Sequence, residues 1–320
     1  MPQPPLTSKQ IERLEGRYGN RFLLEPAPDH ELPRSGMSAE EAMRLIEEEM
    51  VLDGLPMRNL ATFVTTWMEP EAERVIAQSL HTNFIDHAEY PQTAEIEQRC
   101  IRMLADLFHA PGATTGARTQ GSSEAIMLGA LSLKWKWRAR REAAGKATDR
   151  PNLVFYENYL GKRDATFTLN FSTGSSMVLA QYYNFARLGH SGYRYIMETM
   201  KYNARTLARE IAAIGEFEII GAADEEQLPL VAFKLSGEHD YDEFDVAAQL
   251  AAERGWMLPA YTLPPNAEHV KIMRALVKQT LSYSMTVTLG QDIAQACATL
   301  AKKGGLHPAD RKRVKTNTGF

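Results

Sequence analysis

Thr119-Gln120-Gly121-Ser122-Ser123-Glu124-Ala125 is the stretch from which the rest of the chain is read. One glycine and two serines stand at the mouth of an apolar run over 126–137, which ends in Lys134, Lys136, Arg138, Arg140 and Arg141. Acid near the start and base near the end match a helix macrodipole. The pattern predicts a loop that delivers backbone N–H groups and two hydroxyls to a helix N-terminus, a geometry that suits a phosphate. Plain N-capping by serine accounts for the same residues, so the local pattern leaves both readings open.

The chain has 320 residues, enough for about two domains with ample core. Hydrophobic residues make up 44% and charged residues 24%, as in an ordinary soluble globular protein. A net charge of -4 argues against a nucleic-acid or anionic-membrane partner. Cys100 and Cys297 both fall in helical patterns and read as core thiols in a reducing compartment rather than a disulfide. No apolar h-region follows Met1-Pro2-Gln3-Pro4-Pro5, and no run is long enough to span a bilayer, so a cytoplasmic location is expected.

Upstream of the serine loop, residues 1–58 read as a Pro-rich, charged arm followed by a helix. Ser38-Ala39-Glu40-Glu41 is a capping box, and Met43, Ile46 and Met50 share one face of the helix it opens. Pro70 and Pro91 each mark a helix start. After Pro91, the residues Ile96, Cys100, Met103, Leu104 and Leu107 predict a buried stripe. Between these helices, Asn83-Phe84-Ile85-Asp86-His87-Ala88-Glu89-Tyr90-Pro91 has no period, which fits either a functional segment or a surface loop.

Downstream, strand-like runs begin at Leu153 and Thr166, and a helix over 175–188 closes with Gly189. The first 172 residues hold several helices but not the repeated strand–helix units of a parallel sheet. A second helix covers 192–214, and the order α-β-β-α-β-β-α to Gly304 predicts a small α+β domain. The domain organisation is therefore 1–58 arm and helix, 59–172 part of a large domain, 173–306 linking helix and small domain, and 307–320 a basic tail. In the strand Val270-Lys271-Ile272-Met273-Arg274-Ala275-Leu276, Arg274 shares a face with Val270, Ile272 and Leu276. An arginine so placed needs an anion, either a ligand carboxylate gripped by its fork or an internal Asp or Glu.

These blocks together resemble glutamate decarboxylase, of the group II pyridoxal-phosphate-dependent decarboxylases. The resemblance rests on Asn59-Leu60-Ala61-Thr62-Phe63, Asn83-Phe84-Ile85-Asp86 through Tyr90-Pro91, Gly121-Ser122-Ser123-Glu124-Ala125 and Lys134-Trp135-Lys136-Trp137-Arg138. It continues through Tyr159-Leu160-Gly161, Asn170-Phe171-Ser172, Gln181-Tyr182-Tyr183 and Met273-Arg274, colinear from about residue 35 to 290. It implies an α/β fold, the fold type I pyridoxal-phosphate-dependent transferase architecture, and pyridoxal 5'-phosphate as cofactor. It implies that Ser122 and Ser123 hold the cofactor phosphate and that Ser172 reaches a neighbouring subunit's cofactor. Thr62, Asn83 and Asp86 would line the pocket for the side-chain carboxylate of L-glutamate, and Arg274 would bind its α-carboxylate. The partners implied are L-glutamate and a second subunit, either another copy or a full-length homologue.

The chain departs from that family at one place. The family carries its cofactor on the lysine of a Ser-x-His-Lys motif, yet none of the 8 histidines here is followed by lysine. The strand aspartate that pairs with the pyridine nitrogen and the residue stacked on the ring also have no match. Asn152-Leu153-Val154 resembles the start of the central block and Phe155-Tyr156 its far side, so the large domain reads as truncated, with the join near 154/155. Lys162 lies close by in a Gly-Lys-Arg-Asp turn that reads as solvated, with nothing adjacent to lower its pKa. The expectation is a decarboxylase by descent that lacks its catalytic lysine. The alternatives are a catalytically inactive subunit of an intact homologue and a non-functional truncated product.

Overall fold

Ser38 starts the first helix, α1 (Ala39–Met50), through both halves of the expected box. Its hydroxyl accepts from Glu41 N–H at 3.2 Å, and the Glu41 carboxylate accepts from Ser38 N–H at 2.9 Å. The computed structural model describes residues 27–30, 36–63, 67–82, 88–112, 116–150, 174–221 and 228–305. The chain divides into two units, Met1–Asn59 and Leu60–Phe320. Within the first, the face carrying Met43, Ile46 and Met50 is exposed, and a 3-10 turn follows at Pro56–Arg58.

The second unit opens with helices. Proline at the first position starts both α2 (Pro70–Gln78) and α3 (Pro91–Leu107), where its missing N–H costs nothing. Next come α4 (Ser122–Ala143) and α5 (Ser176–Ile214). The two helices expected on either side of Gly189 run as one element, kinked where Gly189 takes φ 54° and ψ -171°. That backbone state is natural only to glycine. Both α2 and α3 pack on α5. The α2 contact includes a Ser79 to Ser176 hydroxyl hydrogen bond of 3.1 Å.

The expected stripe on α3 is only partly covered. Cys100 is buried and Ile96 and Leu104 are half-buried, but Met103 and Leu107 are 43% and 52% exposed. Helix α4 is bare among the described residues. It has no buried residue, and Ile126, Leu131, Leu133 and Trp135 are all exposed.

The small α+β domain follows the expected order: β1 (Phe217–Ile220), β2 (Leu230–Leu235), α6 (Glu243–Arg254), β3 (Ala260–Thr262), β4 (Lys271–Leu276) and α7 (Tyr283–Lys303). The sheet order is β1-β2-β4-β3, and every pairing is antiparallel. No parallel strand pair occurs among the described residues. Asp242 caps α6 in a box with Asp245, and Gly255 ends it in the left-handed state.

One sheet face carries Val231 and Phe233 opposite Ala275 and Met273. These four residues sit in the buried core with Leu207 and Ile211 of α5, Val246 and Leu250 of α6, and Leu289 and Ile293 of α7. Burying each larger side chain contributes roughly 1.5–3 kcal/mol, so this domain holds most of the described core. Cys297 is buried within it, and Cys100 is buried on α3; both are free thiols. No helix among the described residues is long and apolar enough to cross a membrane.

Candidate functional site

The serine loop enters α4 through Gly121, which is fully extended at φ 176° and ψ 177°. Ser122 and Ser123 are the first two helical residues, and both are exposed. Glu124 reaches back so that its carboxylate accepts from Gln120 N–H at 2.6 Å. One donor of the cradle is thus engaged by an acid of the loop itself, while the serine hydroxyls form no cap.

Arg118 fixes the loop from behind. Its backbone N–H donates to the buried Glu97 carboxylate at 3.1 Å, and its guanidinium donates to Gly174 O at 3.3 Å. Burial lowers the Arg118 pKa, against the opposing pull of Glu97 and Glu124. The link places Gly174 beside the loop. Ser172, two residues earlier, lies outside the described residues, as do Asn83, Asp86 and Lys162.

A second cluster forms around Arg274. The backbone of Leu60 is tied into the small domain: Leu60 N–H donates to Met257 O at 3.0 Å, and Leu276 N–H donates to Leu60 O at 2.9 Å. The Leu60 side chain is fully buried. The next carbonyl, Ala61 O, accepts from the Arg274 guanidinium at 3.3 Å. Half-buried Thr62 follows directly, so this tether brings Thr62 and Arg274 into one neighbourhood.

On the other side, the Arg274 guanidinium lies over the Tyr261 ring, 5.6 Å from its centroid. Arg274 Nε is buried and has no hydrogen-bond partner among the described residues. Nor does any Asp or Glu pair with Arg274 among them, so the internal carboxylate that could have satisfied it is not found there. A guanidinium held by one carbonyl and one ring keeps donors for an external carboxylate.

The sequence reading named Thr62 and Arg274 but missed Tyr261 and Arg118. Period-two alternation in β3 could have put Tyr261 on the Arg274 face only once the β3–β4 register was known. No hydrogen bond or ion pair among the described residues joins the serine loop to the Arg274 cluster. Ser122 and Ser123 stand exposed at the N-terminus of α4, where backbone N–H groups suit an anion. In the sequence none of the 8 histidines is followed by lysine.

The model of the pyridoxal-dependent decarboxylase conserved domain matches residues 33–158 and 152–236. The two matched segments overlap over residues 152–158. A glutamate decarboxylase of Solanum lycopersicum is 29% identical over 95% of this chain and 89% of its own. That alignment spans 450 residues against 320 here, so many of its positions have no counterpart in this chain. A glutamate decarboxylase of Aliivibrio fischeri is 28% identical over 96% of this chain and 98% of its own. The solved structure of Lactobacillus brevis glutamate decarboxylase superposes with a TM-score of 0.78 at 25% identity, covering 87% of this chain and 96% of that one.

Proposed function

Because the chain belongs to the pyridoxal-dependent decarboxylase family, a fold type I family whose cofactor is pyridoxal 5'-phosphate, we propose that it is a glutamate decarboxylase by descent that releases no CO2 on its own. The observation that carries this reading is the missing carrier: none of the 8 histidines is followed by lysine. A Schiff-base lysine must be desolvated or stand beside another cation, and Lys162, the lysine nearest the join in sequence, lies outside the described residues. The matched segments overlapping at 152–158 support the loss of a central block that held the motif.

What the chain retains is substrate recognition. Arg274 grips the α-carboxylate of L-glutamate, and Thr62 lies beside it, with Asn83 and Asp86 completing the side-chain pocket. Ser122 and Ser123 receive a phosphate, and Ser172 serves the site of a neighbouring subunit. The test is to supply pyridoxal 5'-phosphate and carboxyl-labelled L-glutamate to the purified chain, then reduce with borohydride. No labelled CO2 and no pyridoxyl-lysine are expected. Turnover together with a pyridoxyl group on one lysine would overturn the reading.

Bare helix α4 favours a second reading, in which the chain works as a catalytically inactive subunit of an intact homologue. An apolar face of several exposed large residues is characteristic of an interaction surface. Co-expression with an intact glutamate decarboxylase, followed by light scattering on the purified complex, tests it. Mixed oligomers support the subunit role, and strict segregation of the two chains excludes it.

A further inference from the structure

Helix α4 keeps its apolar residues and its charge in separate halves. Over 126–133 no side chain is ionisable, and Ile126, Met127, Leu128, Leu131 and Leu133 are all exposed. Over 134–141 stand five cations, interleaved with Trp135 and Trp137. The acids of the helix are Glu124 and Glu142, so five cations against two acids give α4 a net charge of +3. The whole chain has a net charge of -4, which pointed away from an anionic surface; this helix has the opposite sign.

Two of the cations are engaged and three are not. Arg138 pairs with Glu142 at 2.7 Å and lies over the Trp135 ring. Arg141 lies over the Trp137 ring and donates to Ala147 O. Lys134, Lys136 and Arg140 form no hydrogen bond or ion pair among the described residues.

The combination narrows the partner. Consecutive residues point to different sides of a helix, so exposed Ile126, Met127 and Leu128 leave α4 open on several sides. A nucleic acid would meet the cations but leave these aliphatic side chains in water. A lipid surface takes both: acyl chains meet the aliphatic half, tryptophan rings sit at headgroup level and lysine and arginine reach anionic headgroups. The helix is not long and apolar enough to cross a membrane, so it would lie in the surface.

We propose that α4 docks in the surface of an anionic lipid bilayer, with 126–133 at the acyl-chain boundary and Lys134, Lys136 and Arg140 on the headgroups.

This inference does not rest on the decarboxylase reading, and its test needs neither cofactor nor glutamate. The full chain is sedimented with vesicles of phosphatidylcholine alone and of phosphatidylcholine and phosphatidylserine in equal parts. Three free cations at about fivefold each predict about a hundredfold preference for the serine lipid. The triple variant Lys134→Gln/Lys136→Gln/Arg140→Gln should lose that preference. Lys302→Gln/Lys303→Gln, at the far end of α7, should keep it. Leu128→Ser/Leu131→Ser is expected to weaken binding to the mixed vesicles about tenfold through lost apolar burial. Absence of a wild-type preference, its survival in the triple variant or its loss in the α7 variant would each overturn the proposal. So would a DNA duplex bound as tightly as the mixed vesicles. Vesicle binding indifferent to both α4 variants, with self-association reduced by them in light scattering, would assign the helix to a second copy instead.

Discussion

Tyr261 carries the guanidinium of Arg274 on its ring, and the sheet register sets the pairing. Tyr261 lies directly opposite Ile272, two residues along β4 from Arg274 on the same face. Diagonal neighbours on one sheet face are within reach of an aromatic ring. The ring and Ala61 O together fix the plane of the fork from two sides.

Replacing that ring should therefore loosen carboxylate binding without unfolding the domain. Tyr261→Leu is expected to weaken L-glutamate binding about 3- to 10-fold, in keeping with a cation–π contact of roughly 1 kcal/mol. Tyr261→Phe should stay within about twofold, since it keeps the π face. The Arg274 side-chain NMR resonance during glutamate titration reports both. Equal affinity in the Leu and Phe variants would show that the ring does not hold the arginine.

Helix α7 crosses α5 closely at Gly290. A Cβ placed there would lie 2.6 Å from Glu210 Cβ. Glycine to alanine within a helix normally gains about 1 kcal/mol. Here the clash reverses the sign, and Gly290→Ala is expected to cost about 1–3 kcal/mol. Chemical denaturation would show it, and a stabilised variant would mean that the two helices separate freely.

Alkaline pH should destabilise the small domain through Cys297. Burial pushes its thiol from an ordinary 9.0 up to about 12. The folded chain therefore keeps a proton that the unfolded chain loses above pH 9, and that contribution is complete below pH 9 and declines toward pH 12. Tyr241, raised first by burial and then by its hydrogen bond to Glu216, acts in the same direction. Melting temperature measured from pH 8 to 11 should fall, and Cys297→Ala should flatten part of the slope. A slope identical in wild type and variant would remove Cys297 from the account.

Leu133 on α4 is 67% exposed. Leu133→Glu is expected to leave the melting temperature within about 2 °C, since surface changes stay within about 0.5 kcal/mol. Self-association, read by light scattering, should fall with it. A drop in melting temperature above about 5 °C would mean that Leu133 is covered.

Local grammar made much of this fold legible. The capping boxes at Ser38 and Asp242, the prolines at 70 and 91 and the glycines at 255 and 304 all stand where the helices begin and end. The small domain could be read in order because each strand is short and bounded by turn residues. Periodicity failed where it was asked about covering. It identified the apolar face of α3 but could not say that Met103 and Leu107 stay bare, because that depends on what packs there. Gly189 looked like an end and is a kink, since glycine permits both. Arg274 was found by its face, but its contact with Ala61 spans 213 residues and no local pattern encodes it.

The tether at Leu60 also sets an order in time. Its two backbone partners, Met257 and Leu276, are synthesised roughly 200 residues later. At about 5–20 residues per second, Leu60 is incorporated some 10–40 s before either partner exists. During that interval a side chain destined for complete burial is exposed to whatever binds nascent chains. The carbonyl that orients Arg274 thus comes from one of the last contacts the chain can make.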